Sequence, residues 1–414
     1  MAKKKIFNDP VYGFVSFPTE LIYDLIDHKY FQRLRRITQL GLTHYVYPGA
    51  LHTRFHHALG ALHLMTEAVQ TLREKGADIS DAEYEAVCIA ILLHDIGHGP
   101  YSHALELSFI DIHHEELSIL FMQKLNEEFD GRLSLAISIF SGSYKKGFLH
   151  ELVSSQLDMD RLDYLIRDSY FTGVAEGVIG YDRIIKMLDV VDNKLVIEEK
   201  GIYSVEKFLV SRRVMYWQVY LHKTVLSAEQ MLIAVLKRAK KLINSNVKVF
   251  ASEAMLKLLK TDFSLINKEL IFKEYLDVFA DLDDVDILNL IKSNCNHTDF
   301  ILSYMCESLL ERRLFKISLK EGEISDSFVE SILPNIMESF GVSKSDACNL
   351  ILRGHESNLT YNSNKEEIRI LQKDGIVKPL SEFDTEFLKS KGVTKYFLCY
   401  PVKSKESTIA RTLN

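Results

Sequence analysis

The sequence predicts a mainly α-helical protein with small β-hairpins and a small mixed α/β lobe at its C-terminus. Three observations predict it. Through most of the first 340 positions, apolar residues recur at the three- and four-residue spacing of an amphipathic helix. Strand-like runs are confined to Leu195-Val196-Ile197 and to the last 60 residues or so. Only seven prolines punctuate the 414 residues, and no Gly/Ser tract marks a linker.

In chain order, residues 6 to 18 read as extended, with turns at Asp9-Pro10 and Tyr12-Gly13. A helical pattern runs from Pro18 to Leu40, with Leu21, Ile22, Leu25 and Ile26 on one face and Phe31, Leu34, Ile37 and Leu40 on another. Thr53 is placed to cap a helix through Arg73, and Ser80-Asp81 to cap the next. Helices are expected over His113 to Phe129, Glu151 to Ser169 and Ser204 to about Asn244. A hairpin is expected at 194 to 204, turning at Lys200-Gly201, followed by helices from 250 to 340. Another hairpin is expected around Asp374-Gly375, and a strand over Tyr396 to Tyr400.

Hydrophobic residues make up 47% of the chain, enough for a sizeable core, and the net charge of -7 gives no basis for general nucleic-acid or membrane attraction. The five cysteines are scattered without CxxC spacing and read as reduced thiols of a cytoplasmic protein. Met1-Ala2-Lys3-Lys4-Lys5 leads into Phe7-Asn8-Asp9-Pro10 rather than an apolar run, so neither a secretory leader nor a membrane span is expected.

The chain is organised around Ile91-Leu92-Leu93-His94-Asp95-Ile96-Gly97-His98-Gly99-Pro100-Tyr101-Ser102-His103. An apolar helix ends in a His-Asp pair, a costly arrangement in a core unless something binds there. Nine of the fifteen histidines lie between His52 and His114. Arg54-Phe55-His56-His57 opens one helix, His94-Asp95 closes the next, and Asp158-Met159-Asp160-Arg161-Leu162-Asp163-Tyr164 comes much later. Imidazole nitrogen with carboxylate oxygen suits Mn, Fe, Zn or Ni, and two His with two Asp leave coordination positions open. Asp160, Tyr164 and Asp168 are four apart and share one helical face.

These motifs resemble those of the HD-domain metal-dependent phosphohydrolases. His52-Thr53-Arg54-Phe55-x-His57, then His94-Asp95-Ile96-Gly97-His98-Gly99-Pro100-x-Ser102-His103, then Asp158-x-Asp160-Arg161-x-Asp163-Tyr164, resemble in particular the deoxynucleoside triphosphate (dNTP) triphosphohydrolases. The resemblance covers about residues 5 to 320, without a preceding SAM domain. It implies an HD-domain helical core within residues 1–330, with a metal core at about 50–170 and a helical extension at about 204–330. Residues 331–414 form a C-terminal lobe without a counterpart.

The resemblance implies His57, His94, Asp95 and Asp160 as metal ligands, with Mg accompanying the substrate phosphates. It implies His103 as proton donor to the 5′-oxygen, His98 and His114 beside the phosphates, and Glu106 as their partner where the family often has Asp. Arg54, Arg161 and Arg212 would contact phosphate. Gln39, Leu40, Tyr164, Asp168 and Tyr220 would recognise the sugar, with Leu40 and Tyr220 excluding a 2′-hydroxyl. Tyr216 stands where the family has His. A regulatory pocket for GTP, dGTP or another dNTP, between subunits of a homotetramer, is implied by Lys5, Asn8, Asp27, Gln32, Arg35, Arg312, Lys316 and Lys223. Tyr12 and Phe14 stand there in place of histidines.

Two rival readings remain. One is another HD-type nucleotidase or phosphodiesterase, although Gly180-Tyr181-Asp182 lacks the proline of the cyclic-dinucleotide group, and Gly97-His98-Gly99 stands where alarmone hydrolases carry acids. The other is a nucleotide-sensing or nucleic-acid-binding protein with little turnover, using Lys237-Arg238-Ala239-Lys240-Lys241, a pattern that is ordinarily a solvated helix face.

Overall fold

A computed structural model describes residues 6–101, 112–358, 367–383 and 393–402. Three helices form its centre: α1 (Arg54–Glu74), α2 (Asp81–Leu93) and α3 (Met159–Thr172). Helix α1 packs on both α2 and α3. Helix α2 is buried along its apolar run from Ala86 to Leu93, so His94 and Asp95 emerge at its C-terminus inside the protein. Two further helices, α4 (Ile202–Met215) and α5 (Lys223–Asn244), are joined by a π-helical turn over Tyr216–Tyr220.

Local chemistry sets the boundaries. Ser80 and Glu83 form a reciprocal capping box at the start of α2. Asp158 caps α3 by accepting from the Arg161 amide at 2.7 Å. Gly173, at φ +74°, ends α3 in the left-handed conformation that glycine adopts without strain.

The structure corrects four expectations. The segment from Pro18 to Leu40 is not one helix: Glu20–Asp27 ends at His28, whose extended backbone and Nδ1, accepting from the Tyr30 amide, start a new turn over Lys29–Gln32. The span from Glu151 to Ser169 is broken between Val153 and Met159, because Asp158 takes up the Ser155 amide, which would otherwise continue the first helix. The first hairpin pairs Leu188–Val191 with Lys194–Glu198. It turns at Asp192-Asn193, both at positive φ, a conformation these side chains tolerate. Gly201 instead lets α4 approach that hairpin, since a Cβ there would lie 2.7 Å from Ile197 Cγ2. Finally, a strand at Lys316–Lys320 interrupts the helical region.

The C-terminal strands join earlier parts of the chain. Arg369–Leu371 pairs in parallel with the Lys194–Glu198 strand and antiparallel with Val377–Pro379. Val393–Tyr400 lies between Lys316–Lys320 and Leu352–Asn358. A two-stranded N-terminal hairpin, Phe7–Asp9 with Gly13–Val15, packs beside the core. Among the described residues, no helix is long and apolar enough to cross a membrane.

The cap of α2 gives a stability test. Glu83 accepts from Tyr144 Oη (2.6 Å), the Ser80 amide (2.8 Å) and Lys146 Nζ (2.9 Å). Burial alone would raise its carboxyl, but these hydrogen bonds overcome it and hold the group down to about 2. Because the folded value lies below the ordinary 4.5, this stabilisation is present above pH 4.5 and is lost as pH falls toward 2. Glu83→Gln is expected to cost about 1–2 kcal/mol at pH 7, with the gap closing in acid. Urea unfolding at pH 7, 5 and 3 measures it.

Candidate metal centre and adjoining cavity

His57 lies in the first turn of α1, His94 at the end of α2 and Asp160 in the first turn of α3. The three helix ends converge. His57 Nε2 is 3.3 Å from His94 Nε2, and Asp160 Oδ1 is 3.0 Å and 3.5 Å from these two nitrogens. A triangle of these sides has its centre about 1.9 Å from each atom, close to the roughly 2.0–2.2 Å that nitrogen and oxygen donors keep from a divalent ion.

Hydrogen bonds on the far side of each ring fix the tautomers. His94 Nδ1 is 2.6 Å from the Ile91 carbonyl, which can only accept, so this nitrogen carries hydrogen. His57 Nδ1 is 2.8 Å from Asp163 Oδ2. Burial opposes charge on Asp163, but Arg167 and His57 outweigh it and lower the carboxyl to about 2, so it too accepts. With hydrogen on each Nδ1, the two Nε2 atoms face each other and Asp160, an arrangement that calls for positive charge between them, a proton on one ring or a bound cation. The electrostatics agree. Burial disfavours a charged His57, yet Asp160 and Asp163 prevail and raise it to about 10. His94 is raised by Asp95 and Asp160 against the same burial. The donor set thus fits a divalent metal.

Asp95 borders the triangle. Its Oδ1 is 3.3 Å from His94 Nε2 and 3.3 Å from His98 Nε2, and its Oδ2 lies 3.9 Å from His57 Nε2 while pairing closely with Arg54. The His98 ring stacks on His114 at 3.8 Å. Burial, then the Arg54 charge, holds His98 well below the ordinary histidine value, leaving a neutral imidazole. Sequence-predicted His103 and Glu106 lie outside the described residues, as does Lys5.

Arg54 and Tyr164 lead from this centre into a cavity of about 370 Å³. It brings together Gln39, Leu40, Arg54, Tyr164, Asp168, Arg212 and Tyr220, all named from the sequence, along with Tyr216 of the π-helical turn. Asp168 is oriented by His52 Nε2 at 2.8 Å and by the Tyr220 hydroxyl at 2.7 Å. Among the described residues, Gln39 Oε1 and Arg54 Nε are buried without a hydrogen-bond partner. Arg161 is not among the lining residues: its Nε donates to the Ser155 carbonyl and to Asp158.

The proposed regulatory residues fall into separate groups. Gln32 donates to the Ile26 carbonyl, Arg35 donates to Gln32 Oε1, and Asp27 acts electrostatically on Arg35, whose guanidinium lies 3.5 Å from the Phe55 ring centre. Asn8 is on the N-terminal hairpin. Arg312 donates to the Tyr45 carbonyl, while Lys316 and Lys223 are exposed. In the basic patch, Arg238 pairs with Asp299 and Lys240 donates to the Thr261 carbonyl, so both are engaged within the fold.

Sequence reasoning did not assign His52, Tyr101, Arg167, Glu229 or Glu356. The first signal for Arg167 is its i,i+4 spacing from Asp163. Glu229 and Glu356 line the same cavity from α5 and from the Leu352–Asn358 strand, elements that no local pattern connects.

Residues 54–193 match the HD domain, and residues 179–269 match the HD associated region. The chain belongs to the HD-domain phosphohydrolases. It is 48% identical to a phosphohydrolase from Bacteroides thetaiotaomicron, whose crystal structure matches with a TM-score of 0.92 over 97% of this chain and 100% of that one. It is also similar to the uncharacterized protein YwfO of Bacillus subtilis, 33% identical over 97% of this chain and 93% of YwfO. Human deoxynucleoside triphosphate triphosphohydrolase SAMHD1 is 32% identical over 53% of this chain, a match spanning 42% of the human protein.

Two measurements follow from this geometry. Asp160→Asn and His94→Ala are each expected to lower bound divalent metal at least about tenfold, read by elemental analysis after dialysis against limiting Mn, Fe, Zn or Ni. Glu229 offers a pH test, because burial and then Glu356 raise its carboxyl from 4.5 to about 8. Between those values the folded state holds a proton that the unfolded state lacks, so stability falls as pH rises through this window. Glu229→Gln removes the titrating group and is expected to melt above the wild type at pH 8.5, with the difference vanishing by pH 4.5.

Proposed function

We propose that this phosphohydrolase is a dNTP triphosphohydrolase, converting a dNTP and water into a deoxynucleoside and triphosphate. The observation that carries the reading is the continuity of the metal centre with a cavity lined by Gln39, Leu40, Arg54, Tyr164, Asp168, Arg212 and Tyr220. The similarity to SAMHD1, a deoxynucleoside triphosphate triphosphohydrolase, supports it.

His57, His94 and Asp160, with Asp95 beside them, would hold the ion; bound there, a divalent metal supplies Lewis-acid polarisation of a phosphoryl oxygen. Mg is assigned to the remaining phosphates. Arg54 and Arg212 neutralise phosphate charge from the cavity wall. Arg161 joins them only if its side chain leaves the Asp158 contact. His98, neutral and stacked on His114, offers hydrogen bonds without adding charge. His103 is assigned as the acid that protonates the departing 5′-oxygen, and Glu106 as the partner of His98 or His114.

Asp168 is assigned to the 3′-hydroxyl, with Gln39 beside it. Leu40 and Tyr220 crowd the 2′ position, where an added hydroxyl would clash or stay unpaired. We further assign Lys5, Asn8, Asp27, Gln32, Arg35, Arg312, Lys316 and Lys223 to a regulatory nucleotide site in a homotetramer.

The test incubates purified protein with each dNTP, singly and mixed, with Mg and Mn and with or without GTP. The expected products are deoxynucleoside and intact triphosphate. Monophosphate or free phosphate would overturn the proposed cleavage position. Turnover confined to mixtures or to GTP-containing reactions would support the regulatory site. Tyr220→Ala is expected to narrow the preference for dNTP over rNTP by about tenfold or more, measured as a ratio of kcat/KM values.

A further inference from the structure

A buried chain of ion pairs runs from the N-terminal hairpin to one of the proposed metal ligands. We propose that Asp9 is a positioning residue of the metal centre, acting through Arg167 and Asp163 to hold His57 in its metal-binding orientation. The inference rests on the metal site described above.

Each link is direct. Asp9 Oδ1 accepts from the amides of Val11 and Tyr12 at 2.9 Å and 3.0 Å, so the hairpin's own turn fixes the carboxylate. Its Oδ2 takes Arg167 Nη1 at 2.8 Å. Arg167 gives its other two nitrogens, Nε and Nη2, to the two oxygens of Asp163, both at 2.9 Å. Asp163 Oδ2 then receives His57 Nδ1 at 2.8 Å. Asp9 and Arg167 are 158 positions apart in sequence.

Burial makes the chain stiff. The side chains of Arg167, Asp163 and His57 are fully buried, and Asp9 is 5% exposed. At that burial, solvent has little access to replace a lost partner. The Tyr12 ring lies 5.5 Å from the guanidinium and covers it from the hairpin side. On the other side, Gly60 of α1 makes room: a Cβ there would lie 2.0 Å from Arg167 Nη2 and 2.1 Å from Asp163 Oδ1. The guanidinium is therefore held at all three nitrogens and enclosed by Tyr12 and α1.

The charges also point toward the metal. Asp163 and Arg167 alone would cancel. Asp9 adds a second carboxylate, leaving one net negative charge behind His57, which favours a cation at Nε2. With Asp9 neutralised, Arg167 keeps its hold on Asp163 but loses the contact that fixes its Nη1 end. The Asp163 carboxylate becomes a weaker acceptor and a less fixed guide for the His57 ring.

The test measures Mn²⁺ and Zn²⁺ affinity by chelator competition on the full chain, with circular dichroism as the check on folding. Asp9→Asn is expected to bind metal about 10-fold or more weakly. Asp163→Asn should weaken binding at least as much. The double variant should be no weaker than Asp163→Asn alone, because Asp9 acts only through Asp163. Should Asp9→Asn not fold, Arg167→Lys keeps the charge without the fork that bridges both carboxylates, and the same loss is expected. A folded Asp9→Asn, or Arg167→Lys in its place, with wild-type affinity would overturn the inference, as would additive losses in the double variant. A wild-type chain that binds neither ion would instead overturn the metal site itself.

Discussion

Two imidazole nitrogens, 3.3 Å apart in a buried pocket and turned toward each other, set the constraint on which the rest of this structure depends. Such a pair is unfavourable unless a positive charge lies between the rings. Both tautomers are imposed from behind, by a backbone carbonyl at His94 and by a carboxylate at His57. The core helices can therefore be understood as supports for two rings that would otherwise turn away from each other.

That support explains where the polar interior is tolerated. Burying Asp9, Asp163 and Arg167 together costs desolvation of three charges, and it is offset because the guanidinium directs all three of its nitrogens to the two carboxylates. The same logic governs Asp95, shared among Arg54, His94 and His98, and Asp168, held between His52 and Tyr220. Asp95, Asp163 and Asp168 are thus oriented before any ligand arrives, the kind of preorganisation that lets charged groups act on a substrate without first rearranging. The cavity differs in character. Among the described residues its Gln39 Oε1 and Arg54 Nε have no hydrogen-bond partner, and Glu229 and Glu356 add two acidic side chains to its wall.

Much of this was legible in the sequence. The apolar run ending in His94-Asp95, the clustering of histidines and the four-residue spacing of Asp160, Tyr164 and Asp168 are local signals, and the structure brings those residues to one centre and one cavity. Seven of the eight residues named for substrate contact line the same cavity. Arg161 does not, because the backbone break that makes Asp158 a helix cap also gives the arginine a nearer carboxylate. Three of the four misread elements, at His28, Ser154–Asp158 and Lys200-Gly201, turn on a side chain competing for a backbone amide or on a glycine serving packing rather than a turn; the fourth, the Lys316–Lys320 strand, depends on pairing with a strand near the C-terminus.

The sequence by itself determined the helical class and the helix starts at Thr53 and Ser80, because periodicity and capping act over a few residues, and its family resemblance pointed to His57, His94 and Asp160, which the structure groups together. Only the tertiary structure decided that the N-terminal Asp9 reaches Arg167, that the Leu352–Asn358 strand brings Glu356 into the cavity, and that strands near the C-terminus pair with strands well before them. Those contacts join positions far apart in the chain. Their energy comes from burial and from charges meeting in a shared interior, and no local pattern carries that information.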